Sequence, residues 1–467
     1  MEKVDNGAFV KLCYTGRLDN GVVFNKTDKC EPLEIQVGEG NIVEGFENAL
    51  IVVPLAIAGL ALINVGLGRA RSAAHAMLTP LAVLAIAAIV YVIWGYGWQG
   101  YAGRSAHFIT IGGKSWNWLA AEPFFLRGLG PGGGPASLSV LLQIFSVSLA
   151  ALIPLGAGAD RWKLSASCAS TAVLASLTYP LFAHWVWGGG WLAQLGANYG
   201  LGRGFQDPGG SGTIHMLGGL TALAIAWILG PRRGKYSPDG MPAAIPGHNA
   251  IYILFGCMLA MAGWLGLNCA GAILFAGGDA GIAIVTAINT VLSAGSAGLM
   301  GIVVTRYRFG RPDVSITANS WVGGLVAIGA GAPYIAPAAA IFIGLIAGAM
   351  VTLSIEMLEM HMGIDDPAGA ISVHAIAGAW GVMALAIFAG FPEPDQWLAQ
   401  LVGVATLLGF VLPLTYSLNW ALNRFLPYRA PREAERQGLD LFELGAGAYP
   451  EFVTHTDQGF DGKTTQF

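Results

Sequence analysis

The sequence predicts an all-α polytopic membrane protein: eleven transmembrane helices, built as a five-plus-five inverted repeat plus one, behind a small N-terminal segment of partial β-hairpin and helix. Three observations carry this. Of 467 residues, 54% are hydrophobic and only 11% charged, where a soluble domain carries about 25% charged. Such a chain cannot cover its own surface with polar groups, which excludes a soluble globular enzyme. Secondly, the charges leave long gaps. Residues 48–68, 72–103, 128–159, 164–202, 208–231, 240–278, 280–305, 314–355, 367–392 and 396–423 contain no Asp, Glu, Lys or Arg. A spanning helix needs roughly 20 apolar residues. Each window holds one, and 314–355 holds two, divided at the breaker Pro333-Tyr334-Ile335-Ala336-Pro337. Thirdly, the basic residues alternate from loop to loop. Counted from residue 48 on, 15 Lys and Arg fall on one side (Arg69, Arg71, Arg161, Lys163 and eleven more) and 4 on the other (Arg104, Lys114, Arg127 and Arg203). The skew predicts an outside N-terminus and a cytoplasmic C-terminus.

Taken in order, residues 1–47 form a charged segment, 48–424 the membrane domain, and 425–467 a cytoplasmic tail. In the first segment Val10-Lys11-Leu12-Cys13-Tyr14-Thr15-Gly16 alternates as a strand does. The first span is the weakest, because Pro54 interrupts a short apolar run. The later spans are rich in Gly and Ala, including Gly218-Gly219, Gly323-Gly324, Gly344 and Gly348, and small residues let helices pack closely in lipid. Net charge is −4 with no basic stripe, which excludes a nucleic-acid partner. Five scattered Cys argue against a disulfide scaffold and against a zinc site. No cofactor, metal or catalytic group is expected.

Ionisable groups at membrane depth are the functional candidates. His75, His107, His248, His361 and His455 fall in loops or the tail, and His184 near the outer end of the fourth span. Only His215, in the fifth, and His374, in the tenth, lie well inside spans. Five helices separate them, as expected for one His from each half of an inverted repeat. Each lies about seven residues into its span from opposite faces, roughly 10 Å deep at 1.5 Å per residue. Adjacency therefore needs the tenth helix to start below the surface, and Asp366-Pro367-Ala368-Gly369 suits such a broken start.

Several motifs together resemble the ammonium transporter family (Amt/Mep/Rh). They are Ala183-His184-Trp185-Val186-Trp187-Gly188-Gly189-Gly190-Trp191-Leu192; Asp207 with His215 eight residues on; Gly263-Trp264-Leu265-Gly266-Leu267-Asn268; Asp365-Asp366-Pro367 with Ser372-Val373-His374 and Gly378; and Gly438-Leu439-Asp440-Leu441 with Ala448-Tyr449. The resemblance covers about residues 48–452. It implies a homotrimer in the cell membrane, with an apolar pore for ammonium or ammonia through each subunit. His215 and His374 would be twin pore histidines, Trp187 an outer-vestibule residue, and Asp207 the acidic residue below it. It also implies a cytoplasmic nitrogen-regulatory signal protein as a partner at the C-terminal side.

Other readings of the same residues stay open. Trp185, Trp187 and Trp191 also fit an interfacial aromatic belt. Asp207-Pro208 also reads as a helix start, with Asp as N-cap and Pro at the first position. Departures from the family pattern are specific. Ser146 and Leu267 stand where stacked gating Phe residues are usual, and Gly271 where a recruiting Ser is usual, with Trp264 and Phe145 nearby. The loop from Trp187 to Asp207 is longer by about eight residues, roughly 196–203. A wider, wetter outer pore is expected, and with it either an Rh-like channel for another small neutral molecule or an ammonium sensor without flux.

The N-terminal segment resembles part of an FKBP-type peptidyl-prolyl isomerase. The matching stretches are Tyr14 to Phe24, Pro32-Leu33-Glu34-Ile35 through Gly38, and Ile42 to Leu50. The pocket of that family would map to Tyr14, Phe24, Ile42, Val43 and Phe46, with Asn25 where Asp is usual. The later strands are absent, so a membrane-anchored isomerase is the least favoured function.

Overall fold

A computed structural model describes residues 9–12, 15–17, 23–26, 33–36, 49–129, 135–277 and 280–449. The chain divides into two compact units, Met1–Asn48 and Ala49–Phe467. In the first, β1 (Phe9–Leu12) pairs antiparallel with β4 (Leu33–Gln36). Strand β2 (Thr15–Arg17) pairs antiparallel with β3 (Val23–Lys26), with a register shift between Gly16 and Arg17. Of the expected isomerase pocket, Tyr14, Ile42, Val43 and Phe46 lie outside the described residues, as do Cys13, Cys30 and His455.

The second unit is helical. Among the described residues ten helices are long and apolar enough to cross a membrane: α1 Ala49–Leu67, α2 Ala70–Gln99, α3 Ala136–Gly158, α4 Leu164–Trp187, α5 Ser211–Leu229, α6 Ala250–Phe275, α7 Gly281–Phe309, α9 Pro337–Met360, α10 Ile371–Phe388 and α11 Gln396–Phe425. Helix α8, Val314–Ile328, is apolar but has only 15 residues. It starts at a proper cap, the Asp313 carboxylate accepting from Ile316 N at 2.8 Å. In α1 a turn at Val53 separates residues 49–52 from the helical segment that Pro54 begins. Pro54 stands in the first turn of the segment Pro54–Leu67, where a missing N–H costs nothing.

Small residues set the packing. A Cβ on Gly59 of α1 would stand 2.6 Å from the Gly256 carbonyl of α6, so both backbones use the space a side chain would take. Gly219 of α5 is equally constrained by α10, its missing Cβ lying 2.8 Å from the Ala375 Cα. Gly378 of α10 answers it, 2.6 Å from the Ser211 carbonyl. This reciprocal contact brings the starts of α5 and α10 together.

Two features differ from the sequence expectation. The connection from α2 to α3 contains a hairpin, β5 (Ala106–Ile111) against β6 (Lys114–Ala120). Its two-residue turn is Gly112-Gly113, both with positive φ (59° and 76°), as a primed turn demands. His75 is not in a loop. It lies buried in the first turn of the helix that begins at Ala73.

Candidate functional site

Helices α5 and α10 begin alike. In the sequence, Asp207-Pro208-Gly209-Gly210 and Asp366-Pro367-Ala368-Gly369 each precede a histidine, His215 and His374, at the same spacing of eight. In both, the Gly is left-handed, φ 80° at Gly210 and 69° at Gly369. In both, the helix opens with a π turn, Ser211–Met216 and Ile371–Ile376. In both, one carboxylate oxygen of the Asp satisfies free N–H groups of the helix start. Asp207 Oδ2 accepts from Gly212 N at 3.0 Å, Thr213 N at 2.7 Å and the Thr213 hydroxyl at 2.7 Å. Asp366 Oδ2 accepts from Ile371 N at 2.7 Å. The helix at Asp207 thus starts at Ser211, later than the expected Pro208, because the turn through Gly210 intervenes. This repeated Asp-Pro-x-Gly-x4-His string was legible in the sequence and went unused there.

The α5 start is wedged in place. Gly209 N donates to the Gly329 carbonyl at 3.0 Å. The Ser211 hydroxyl donates to the Val326 carbonyl at 2.7 Å and accepts from Ala330 N at 2.8 Å, tying α5 to the end of α8. The α10 start is held by ions. Arg232 donates to Asp365 from its backbone N (2.7 Å), Nε (2.9 Å) and Nη2 (2.9 Å), and also reaches Asp160 at 3.2 Å. Arg161, fully buried, donates to the Asp365 carbonyl at 2.8 Å. Desolvation lowers the Arg161 guanidinium to about 10, and the nearby Asp365 charge opposes that shift. Sequence reasoning missed Arg161 and Arg232, whose loop positions look like ordinary cytoplasmic charges.

The outcome is that His215 and His374, both buried, stack with ring centroids 5.4 Å apart and planes at 28°. Trp264 lies on the other side of His215, centroid 5.1 Å away and nearly parallel at 12°. Both nitrogens of His215 and Nδ1 of His374 have no hydrogen-bond partner among the described residues. Such groups are costly to bury unmatched. A void of about 10 Å³ touches His374, lined also by Asn64, Asn319 and Val373. Asn64 Nδ2 is a second unmatched donor there, and attention to ionisable groups alone overlooked it.

On the side of the α4–α5 connection, where the sequence places the outside, lies a cavity of about 300 Å³, lined by Tyr101, Trp187, Arg203, Gln206, Asp207 and Phe275 among others. Trp187 and Phe275 stack almost face to face, 4.9 Å apart at 5°. The Trp187 indole N–H donates to the Asp207 carbonyl at 3.0 Å. Burial pushes the Asp207 carboxyl up to about 7, although Thr213 and Gly212 donate to it and pull the other way. On the opposite side a cavity of about 460 Å³ is lined by Arg232, Lys235, Asn319, Asp365, Asp366 and Ser372 among others.

The remaining sequence candidates fall elsewhere. Ser146 and Leu267 are buried and do not line the outer cavity. The Ser146 hydroxyl donates to the Leu142 carbonyl of its own helix at 2.8 Å. The large ring against His215 is Trp264, not a residue at either gate position. At Gly271, α6 lies so close to the α5 approach that a Cβ there would collide with the Pro208 carbonyl. Among the described residues no group of His, Cys, Asp and Glu is arranged to hold a metal.

Ten long apolar helices among the described residues, and a stacked histidine pair between two broken-start helices, mark a multi-pass membrane protein of the transporter and channel class. The profile of the Ammonium Transporter Family matches residues 46–449, and the chain belongs to that family. Ammonium transporter Amt2 of Archaeoglobus fulgidus is 34% identical over 421 residues, covering 85% of each chain. The ammonium transporter of Bacillus subtilis is 33% identical, over 88% of this chain and 99% of its own. A solved Sensor Amt Protein superposes with a TM-score of 0.77 at 27% identity, over 86% of this chain and 98% of that one. A profile of FKBP-type peptidyl-prolyl cis-trans isomerases matches residues 1–54.

Proposed function

We propose that the protein moves ammonium nitrogen across the cell membrane, through one pore in each subunit of a homotrimer. The N-terminal segment lies outside and the tail in the cytoplasm, where a nitrogen-regulatory signal protein docks. Helix α8 is the short eighth of eleven spans. The unmatched, stacked pair His215–His374 carries this reading.

The chemistry follows from cost. A bare ammonium ion in an apolar bore costs on the order of tens of kcal/mol by Born estimates. Ammonia costs far less, so the cation gives its proton to water at the outer mouth before it passes as ammonia. The stacked rings of Trp187 and Phe275 attract the cation at the outer mouth, worth about 0.5–2 kcal/mol. Trp264 replaces the missing aromatic gate and keeps the space above His215 closed. Two neutral imidazoles then offer ammonia a donor and an acceptor in single file. Methylammonium or ammonium flux into liposomes holding the purified protein tests this, and absence of flux at any gradient rejects it.

The likeness to a Sensor Amt Protein supports a second reading, in which the same site binds ammonium without flux. Saturable binding with no uptake would select it. An isomerase activity of the N-terminal segment is tested with a proline-peptide substrate on the full chain.

A further inference from the structure

The segment that lengthens the loop between α4 and α5 carries a charge into the outer cavity. Residues Leu195–Tyr199 make one short helix, and the chain then runs along the first turns of α11. Two glutamines one turn apart on α11 clamp it. Gln396 accepts from Arg203 N at 2.8 Å and donates to the Gly204 carbonyl at 2.8 Å. Gln400 accepts from Gln206 N at 2.9 Å and donates to the Gln206 carbonyl at 2.8 Å. Gly202 permits this, since a Cβ there would stand 2.8 Å from the Gln396 Cα.

The clamp fixes where Arg203 sits. Its guanidinium lies over the Phe391 ring, 4.3 Å from the centroid. Its Nε lies 3.4 Å from a carboxylate oxygen of Glu393, in the loop between α10 and α11. Both side chains keep substantial exposure, 45% and 37%. Arg203 lines the same cavity as Trp187, Phe275 and Asp207, and Glu393 does not. Burial raises the Asp207 carboxyl to about 7, so near neutral pH that acid carries only part of a charge. Of the two charged residues lining that cavity, Arg203 and Asp207, the full charge is therefore the positive one.

We infer that Arg203 is a specificity-determining residue of the outer vestibule: it opposes entry of cations, Glu393 attenuates it, and the pair tilts the mouth towards uncharged amines. The inference rests on the transport reading above. Charges within roughly 10 Å act measurably on an ion, and salt weakens them because the pair is partly exposed.

The experiment uses full-length protein in liposomes, with methylammonium flux and equilibrium binding of labelled methylammonium measured at low and high ionic strength. At low salt, Arg203→Gln should lower the apparent KM about three- to tenfold. Glu393→Gln should raise it, and the double variant should fall between Arg203→Gln and the unaltered protein. High salt should draw all four together. A structural role for the pair would shift both single variants in one direction, without salt dependence, and either result overturns the inference, as does an unchanged KM in Arg203→Gln. Lack of flux by the unaltered protein would reject transport alone, because the binding constants still report the order of the four.

Discussion

His215 and His374 stack with unmatched nitrogens, so single substitutions there read out directly. His215→Asp and His374→Ala are each expected to abolish or alter selective flux while the protein stays folded and assembled. Uptake assays beside native mass spectrometry check this, and unchanged flux and selectivity in both would remove the twin-histidine pore. Gly271→Ser carries the opposite expectation. The new side chain meets the Pro208 carbonyl, a backbone atom that cannot swing aside. We expect a loss of about 1–3 kcal/mol from overpacking and no tighter ammonium binding; a rise in affinity at unchanged stability would return Gly271 to the binding site. Asp207 predicts a pH dependence. Its carboxyl is raised from 3.8 to about 7 by burial, so the native state keeps a proton that the unfolded chain releases. The stability this contributes is whole below pH 3.8 and drains away as pH rises to about 7. Asp207→Asn cannot titrate, so its melting temperature should fall less between pH 4 and 7. Parallel profiles would place that slope in another group.

At the scale of elements, the tail supplies what two helices lack. Neither the helix starting at Ala73 nor the one starting at Leu164 has a side-chain cap of its own. Asp440 accepts from Ala74 N at 3.0 Å and His75 N at 2.7 Å. Glu443 accepts from Leu164 N at 2.9 Å and touches His75 Nε2 at 2.8 Å. Both carboxylates also face the positive ends of helix dipoles. Removing a cap costs about 0.5–2 kcal/mol, so Asp440→Ala should lower the melting temperature and speed trypsin cleavage in the tail. Unchanged cleavage would make these contacts incidental. The sequence showed the spans but not this docking. The tail string Gly438-Leu439-Asp440-Leu441 was visible, yet its targets lie more than 270 residues away in sequence. The β5–β6 hairpin was missed for a nearer reason: its Gly112-Gly113 turn was legible, but a charge map has no term for strands. Helix α8 was seen as half of one window, and its 15 residues became clear only in the structure, where turns take over from Gly329.

For the whole molecule, large apolar side chains remain exposed. Ile251 is 76% exposed, Met258 68% and Leu299 63%. Lipid or neighbouring subunits must cover them. We expect native mass spectrometry from lipid nanodiscs to show a homotrimer, and a monomer there would count against it. The charge skew of the loops and the alternation of spans describe only one subunit's passage, and neither says which faces meet.

By itself the sequence determined the membrane class, the order of the long apolar helices, the two histidines and the acidic residue before each. These depend on properties that add along the chain: a lipid-spanning helix must be apolar over its length and must satisfy its own backbone. Only the tertiary structure decided that the histidines stack, that Trp264 stacks on His215, that Gly271 packs against the Pro208 backbone, and that Arg203 lines the same cavity as Trp187 and Asp207. Each depends on how deep a helix sits and how it is rotated against its neighbours. Those are set by close contacts between distant residues, such as Gly219 against Ala375, which no local pattern records.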